Sequence, residues 1–243
     1  AIENDKFIIV EKPAFVNPSE YSAIESLLAA HPKARLVEAA RHIHTKIYQA
    51  ALKKVDEMKE HYVQGATITV MKYSSRFDKV LNGSEPYPNI FTLKYAGGAL
   101  MDLGVYAVYG AVTIYGEPES VVYFPTLTKT GVDGKGVAIL NYDKFTVTLN
   151  FGKTANSHLY SEVYGLKDTW VFDSIIYKLD VPVQKNSMTD EMNDFADLFN
   201  NPDDEEEMKK YKHWLELSKT VNSVMYSLRQ SAQLVFPSDN DQE

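Results

Sequence analysis

The sequence predicts an α+β fold: a large, open, mostly antiparallel sheet covered by helices on one face, preceded by the last βαβ unit of a parallel sheet. Residues 7–10 are an unalternated apolar run, which is typical of a strand buried on both faces. A helical pattern and a second apolar run complete one βαβ unit by residue 40. Beyond residue 65 the apolar residues alternate, as in strands with one packed face and one wetter face.

The helix of the first unit has a recognisable start. Asn17 can cap it, Pro18 suits the first helical position, and Glu20 completes an Asn-x-x-Glu capping pattern. The periodic residues end before His31 and Pro32. The run 35–40 then predicts the second strand, which is also buried.

The remaining elements follow from periodicity. Helices are predicted near 45–60, 99–115, 188–200 and 204–233, the last opened by acidic residues that suit the helix dipole. Strands are predicted near 66–71, 119–127, 136–142, 145–151, 158–164, 168–173 and 175–181, with a tight hairpin at 142–145. The division into domains is therefore 1–44, 45–236 and a frayed tail at 237–243.

Composition excludes several classes of function. The 243 residues contain 25 Lys and Arg, 33 Asp and Glu and no Cys, giving a net charge of −8. An acidic chain without a basic run disfavours nucleic acid, and the lack of Cys excludes disulfides and Cys-ligated metals. No stretch approaches the roughly 18 apolar residues of a membrane span, and no signal-peptide pattern is present. A cytoplasmic location is the expectation.

The first candidate site is Glu11-Lys12-Pro13, directly after the first strand. Ligands of open α/β sheets bind at the carboxyl ends of strands. Lys12 is therefore either a contact for an anionic or hydroxylated substrate or an ordinary surface lysine. The bond between Lys12 and Pro13 is a candidate for the cis form.

The second candidate site follows the glycine pair Gly97-Gly98. Asp102 and Tyr106 are four residues apart and share one face of the predicted helix. A phenol beside a carboxylate and a lysine can donate and accept a proton. The alternative is that Asp102 only favours the helix dipole while Tyr106 packs.

The third candidate segment is 38–44. If it continues the second strand, Arg41 and Ile43 face one side while His42 and His44 face the other. Two histidines at this spacing could bind a metal, but the sequence suggests no third ligand. Contacts of Arg41 and His44 with a polar substrate are therefore favoured over a metal site, and ordinary surface residues are the other alternative. The glycine-rich stretch 131–136 lacks the strand–helix context of a phosphate loop and reads as a loop.

These motifs occur in the order seen in a known family, and the chain resembles the Gfo/Idh/MocA oxidoreductases over nearly its whole length. The segments that carry the resemblance are Glu11-Lys12-Pro13, Gly97-Gly98 with Asp102-x-Gly104-x-Tyr106, and Ser161-Glu162-Val163-Tyr164-Gly165. Family members have an N-terminal Rossmann domain that binds NAD or NADP. Their C-terminal domain has an open sheet that commonly forms the oligomer interface.

The resemblance implies hydride transfer between a nicotinamide and a hydroxyl-bearing carbon of a sugar, polyol or related compound. It implies that Lys12 orients the nicotinamide, with Glu11 and Pro13 beside it, and contacts the reacting hydroxyl. Tyr106 takes the position where the family has His or Tyr as general acid/base, with Asp102 tuning it. Arg41 and His44 fall in the segment that lines the substrate side.

One departure from the family is large, because its glycine-rich first βα turn is absent from the 243 residues. The expectation is a C-terminal fragment with the last part of a Rossmann domain, lacking about 100 upstream residues. Such a fragment neither binds NAD(P) tightly nor turns over. The alternatives are a non-catalytic dimerisation or partner-binding module and a redox-neutral, NAD-dependent glycosidase or isomerase. The expected partners are a small-molecule substrate and further copies of the chain.

Overall fold

The computed structural model describes residues 1–59, 63–172, 186 and 188–239. The chain begins with two parallel strands, β1 (Phe7–Glu11) and β2 (Arg35–Ala39), connected by helix α1 (Pro18–Ala30). The predicted βαβ unit is therefore present.

The predicted cap of α1 is confirmed in detail. Oδ1 of Asn17 accepts a hydrogen bond from the N–H of Glu20 at 3.0 Å. The Glu20 carboxylate accepts one from the N–H of Val16 at 2.8 Å. This reciprocal pair satisfies two backbone donors at the start of the helix.

Strand β1 is not buried on both faces, contrary to the prediction. Phe7 is 42% exposed and Ile9 45%, whereas Ile8 and Val10 pack with the cluster around Leu36. Helix α1 covers one face of this two-stranded sheet, and residues of the two C-terminal helices pack against Val37 of β2 on the other face. Phe7 of β1 is stacked on Phe199 at 4.8 Å but stays partly exposed. An apolar run shows that a strand can be covered on both sides but not how completely each side is covered.

The segment after β2 also differs from the prediction. The strand ends at Ala39, and Arg41–His44 form a 3-10 turn rather than an extended continuation. His42 and His44 are both buried, and they no longer share a strand face. The turn is needed because the chain changes direction here into helix α2 (Lys46–Lys59).

The second sheet has six strands in the order β4-β5-β6-β3-β7-β8, and only the β3–β6 pair is parallel. The predicted hairpin is confirmed, since Tyr142 pairs with Phe145. The strand predicted at 175–181 lies outside the described residues. The strands are β3 (Gly65–Met71), β4 (Ser120–Leu127), β5 (Asp133–Tyr142), β6 (Phe145–Gly152), β7 (Ser161–Tyr164) and β8 (Thr169–Phe172).

Helices α4 (Val105–Tyr115) and α6 (Glu205–Ser231) pack against this sheet, and the main core lies between them and the strands. Fully buried members of this core include Val108, Val147, Leu149, Val163 and Leu228. Helix α5 (Thr189–Asn200) was predicted, whereas the short α3 (Phe77–Leu81) was not. The fold class predicted from the sequence is confirmed.

One segment, Leu93–Tyr115, is long and apolar enough to cross a membrane by length and composition, contrary to the sequence expectation. However, 78% of its most apolar window is buried inside the protein. This is the environment of a central core helix, and α4 forms the last 11 of the 23 residues of the segment.

The end of the chain is held by a buried ion pair. Pro237–Asp239 form a short turn, and the Asp239 carboxylate accepts hydrogen bonds from Arg229 at 2.6 and 3.0 Å. Arg229 is fully buried and also donates to the carbonyl of Val16 at 2.8 Å. The predicted fraying from residue 237 is therefore wrong for these three residues, and 240–243 lie outside the described residues.

Candidate active site

Lys12 lies at the carboxyl end of β1, where the first candidate site was predicted. Its Nζ donates to the main-chain carbonyl of Asp102 at 2.5 Å and to Asp102 Oδ1 at 3.1 Å. The same nitrogen is 4.6 Å from the centroid of the Tyr106 ring. The bond from Lys12 to Pro13 is cis. The structure therefore brings Lys12, Asp102 and Tyr106 together, although they were predicted from two distant segments.

The helix that carries Asp102 begins with a π-helical turn, Leu100–Gly104, before α4. The prediction was one regular helix over 99–115. π-helical turns inside helices are frequent at functional sites, because the extra residue re-aims the side chains. Here the turn carries Asp102 and α4 carries Tyr106.

Asp133 fixes the start of this helix and explains the glycine pair before it. One Asp133 oxygen accepts a hydrogen bond from the N–H of Leu100 at 2.7 Å and another from the Tyr123 hydroxyl at 2.6 Å. A Cβ at Gly98, whose φ is +125°, would lie 1.9 Å from Oδ1 of Asp133. A Cβ at Gly97 would lie 2.6 Å from the carbonyl oxygen of Ile90. Only glycine lets the backbone approach this closely.

A second lysine, Lys153, completes the site and was not identified from the sequence. Its side chain is 1% exposed, and its Nζ donates to Oδ2 of Asp102. Lys153 directly follows β6 in the sequence. Its place in the site follows from the parallel pairing of β3 with β6, which the periodicity of the sequence does not reveal.

The two ammonium groups determine the protonation of Asp102. Burial acts to raise the pKa of Asp102, but Lys12 and Lys153 outweigh it, so its pKa lies below the ordinary value. Burial lowers the pKa of Lys153, and the Asp102 carboxylate opposes that shift. Asp102 is therefore an ionised anchor for two cations at neutral pH.

A second carboxylate holds the loop that carries Lys12. Glu38 accepts hydrogen bonds from the N–H of Ala14 at 3.1 Å, from the Tyr109 hydroxyl at 2.7 Å and from the Ser218 hydroxyl. Burial raises the pKa of Glu38. The network links the residue after Pro13 to α4 and α6. It was not predicted, because its members are far apart in the sequence.

His42 lies behind Tyr106 and is 4% exposed. Its ring makes edge contacts with Tyr106 at 5.0 Å and with Tyr48 and Tyr109 at 5.5 Å. Burial, and next the nearby Arg41, lower the pKa of His42 to about 3, so the ring is neutral. His42 therefore helps fix the Tyr106 ring as an aromatic neighbour.

Arg41 and His44, the other predicted site residues, are placed differently. Nδ1 of His44 is 2.7 Å from Oδ2 of Asp194, and His44 lines a cavity of about 710 Å³ beside Trp214. Lys12, Asp102 and Tyr106 do not line this cavity. Arg41 is half-buried at the start of the 3-10 turn. No three His, Asp or Glu side chains within the described ranges are grouped as metal ligands.

The lysine–aspartate pair is partly accessible to a ligand. Lys12 and Asp102 keep 13% and 37% of their side chains exposed at the carboxyl end of β1, where ligands of such sheets bind. Glu11 and Pro13 flank this position. The stretch 131–136, interpreted from the sequence as a loop, is a loop only at 131–132, because residues 133–136 are the start of β5. It lies between two strands, so it is not a strand–helix phosphate cradle.

Residues 55–171 match the family model described as the GFO/IDH/MocA C-terminal domain. This part of the chain is a Gfo/Idh/MocA C-terminal domain. The resemblance inferred from the motifs is confirmed.

Two curated relatives of this chain are oxidoreductases by name. The scyllo-inositol 2-dehydrogenase (NADP(+)) IolU of Bacillus subtilis (strain 168) is 28% identical over 257 residues, covering 98% of this chain and 74% of that protein. The uncharacterized oxidoreductase YgjR of Escherichia coli (strain K12) is 28% identical over 250 residues, covering 96% and 72%.

Solved structures share the Gfo/Idh/MocA fold. GenD2 from gentamicin A biosynthesis, in complex with NAD, has a TM-score of 0.72 at 16% identity, covering 96% of this chain and 71% of that one. The scyllo-inositol dehydrogenase from Lactobacillus casei, with NAD(H) and scyllo-inositol bound, has a TM-score of 0.69 at 15% identity, covering 93% and 71%. At such identities the likeness establishes the fold.

Proposed function

We propose that the protein is an NAD(P)-dependent oxidoreductase that transfers a hydride between the nicotinamide and a hydroxyl-bearing carbon of a sugar, polyol or related compound. The observation that carries the proposal is the Lys12 ammonium, which lies against both Asp102 and the Tyr106 ring at the carboxyl end of β1. The names of the two curated relatives support it.

A nicotinamide, when bound, supplies the hydride acceptor for oxidation and the hydride donor for reduction. The residues of this chain bind the substrate hydroxyl group and transfer its proton. Lys12 donates a hydrogen bond to the reacting oxygen. Tyr106 accepts the hydroxyl proton as a phenolate during oxidation and, as the resulting phenol, returns it to the oxygen during reduction. Asp102 stays ionised and holds the Lys12 ammonium in place. Arg41 and His44 are proposed as more distant substrate contacts.

We propose that Glu11, Lys12 and Pro13 contact the cofactor at its nicotinamide end only. Binding of NAD or NADP by the 243-residue chain alone is expected to be weak, because the pyrophosphate has no cradle in the described part of the chain. We therefore assign turnover to the longest protein that the gene encodes. Micromolar binding of NAD(P) to the 243-residue chain in calorimetry would contradict this assignment.

The decisive test is an assay of the longest encoded protein with NAD or NADP and a panel of inositols, sugars and linear polyols, followed by NAD(P)H absorbance. Net formation of NAD(P)H is the expected result. Conversion of a substrate without net NAD(P)H would favour the redox-neutral glycosidase or isomerase. The absence of both turnover and cofactor binding would favour the non-catalytic dimerisation module.

We also propose a cytoplasmic homodimer or higher homo-oligomer, formed through the open face of the six-stranded sheet. Phe124 and Val137 pair across β4 and β5 on this face and are 60% and 37% exposed. Val171 of β8 is 44% exposed and belongs to the same face by register. Apolar side chains on a sheet face suit burial against a second copy.

Phe124→Glu is expected to shift the protein toward monomers in light scattering, because a second copy would have to desolvate the new carboxylate. Leu81→Glu is the matched control, since Leu81 is equally exposed at 60% but lies on α3. A wild-type protein that is monomeric at high concentration would contradict the proposed assembly.

A further inference from the structure

We propose that Lys153 is a positioning residue of the active site. It keeps Asp102 ionised and fixed in one orientation, so that the other Asp102 oxygen holds the Lys12 ammonium against Tyr106. The consequence for turnover rests on the proposed function, whereas the effect on Asp102 itself does not.

The backbone of Lys153 is fixed on both sides. Its N–H donates to the carbonyl of Gly134 at 2.8 Å, and its carbonyl accepts from the N–H of Ser74 at 2.8 Å. Strands β3 and β6 run parallel, so their carboxyl ends reach the same edge of the sheet. Lys153 therefore enters the site from a rigid part of the fold.

The side chain of Lys153 is too buried to be a substrate contact. It is 1% exposed, against 13% for Lys12 and 37% for Asp102. Its Nζ lies 5.1 Å from the centroid of the Phe91 ring, a cation–π contact that adds to its fixation. Lys153 supports Asp102 from behind, while Lys12 and Asp102 face the accessible side.

Asp102 divides its oxygens between the two lysines. Oδ2 accepts from Lys153, whereas Oδ1 and the main-chain carbonyl accept from Lys12. The charged groups acting on Asp102 are these two ammoniums, and Arg76 also acts on Lys153. Without the cation at 153, Oδ2 loses its charged partner and Lys12 alone restrains rotation of the carboxyl group about χ2. The anchor of the Lys12 ammonium is then less firmly fixed.

The first arm of the test uses the 243-residue chain and needs no activity. Asp side-chain carboxyl carbons are labelled with 13C, and the Asp102 signal is titrated in wild type, Lys153→Met, Lys153→Gln and the surface control Lys79→Gln. Loss of one close cation is expected to raise the pKa of Asp102 by about 1–3 units in both Lys153 variants and to leave it unchanged in the control. An unchanged Asp102 titration in the folded Lys153→Gln variant would overturn the proposal.

Lys153→Gln keeps a hydrogen-bond donor without the charge, so the titration can be made with this variant alone if Lys153→Met does not fold. The second arm measures turnover in the longest encoded protein. We expect kcat of Lys153→Gln to fall about tenfold, the acid limb of its pH profile to move to higher pH, and Lys153→Arg to keep wild-type behaviour in part.

The two proposals fail in different ways. An inactive wild-type protein would contradict the oxidoreductase function. The carboxyl titration would still decide whether Lys153 keeps Asp102 ionised. A raised Asp102 pKa with wild-type kcat and an unmoved acid limb would overturn the positioning role in catalysis.

Discussion

Lys12→Met is expected to reduce kcat of the longest encoded protein at least about tenfold while the fold stays intact. Methionine matches the lysine side chain as far as Cε but lacks the ammonium that contacts Asp102 and the Tyr106 ring. A positioned proton donor or acceptor contributes about 10²–10⁴-fold to a rate, so the loss can be larger. Tyr106→Phe, which removes only the hydroxyl, is expected to have an effect of the same order. Steady-state kinetics with the substrate found in the polyol panel provide the measurement.

Lys6→Met is the matched control for Lys12, because Lys6 is exposed just before β1. It should keep wild-type kcat. Far-UV circular dichroism and the melting temperature show whether each variant is folded. If Lys12→Met and Tyr106→Phe both retained full activity, the roles assigned to these two side chains would be wrong.

Arg229→Met is expected to have the largest effect on stability, a loss of about 3–5 kcal/mol in the free energy of unfolding. Arg229 is fully buried, so its removal leaves the Asp239 carboxylate, 5% exposed, without its cation. The hydrogen bonds to the carbonyls of Val16 and Leu234 are also lost. Urea unfolding monitored by circular dichroism measures the change.

Arg76→Met is the control for this variant, since Arg76 is exposed, and it should change stability by less than about 1 kcal/mol. The double variant with Asp239→Asn should recover part of the loss, because the unpaired charge is gone. A loss below about 1 kcal/mol in Arg229→Met would show that the pair contributes little.

The same ion pair predicts how stability depends on pH. Burial acts to raise the pKa of Asp239, but the hydrogen bonds and charge of Arg229 outweigh it, so its folded-state pKa lies below the ordinary value. The unfolded chain therefore binds this proton first as the pH falls. The contribution of Asp239 is complete above about pH 4 and is lost as the pH falls through the folded-state pKa. In Asp239→Asn this part of the acid dependence should disappear.

The elements of the fold were largely predictable because their signals are local. Asn17 and Glu20 marked the start of α1 from within four residues, and alternation marked β3 and β6. The bounds agree within a few residues. The turn at Arg41–His44 and the π-helical turn at Leu100–Gly104 were missed, because neither has a periodicity of its own.

The candidate site was predictable in part. Lys12 and Asp102 could be selected because each lies beside an element end that the sequence marks. Lys153 could not, since its role depends on a contact with Asp102 across 51 positions and on the parallel pairing of β3 with β6. The contact between Glu38 and Ser218 spans 180 positions and was equally invisible. His44 lies against Asp194, away from Lys12 and Asp102, so its contact with substrate stays a prediction.

Within the described residues β1 pairs on one side only, with β2. Its outer row of main-chain donors and acceptors can extend the ladder with any extended peptide that approaches, including β1 of a neighbouring molecule. The partly exposed side chain of Ile9, and the part of the Phe7 ring that its stacking on Phe199 leaves exposed, would add to such a contact. We therefore expect the 243-residue chain to aggregate edge to edge at high concentration. A lysine or proline substituted into β1 should reduce this aggregation.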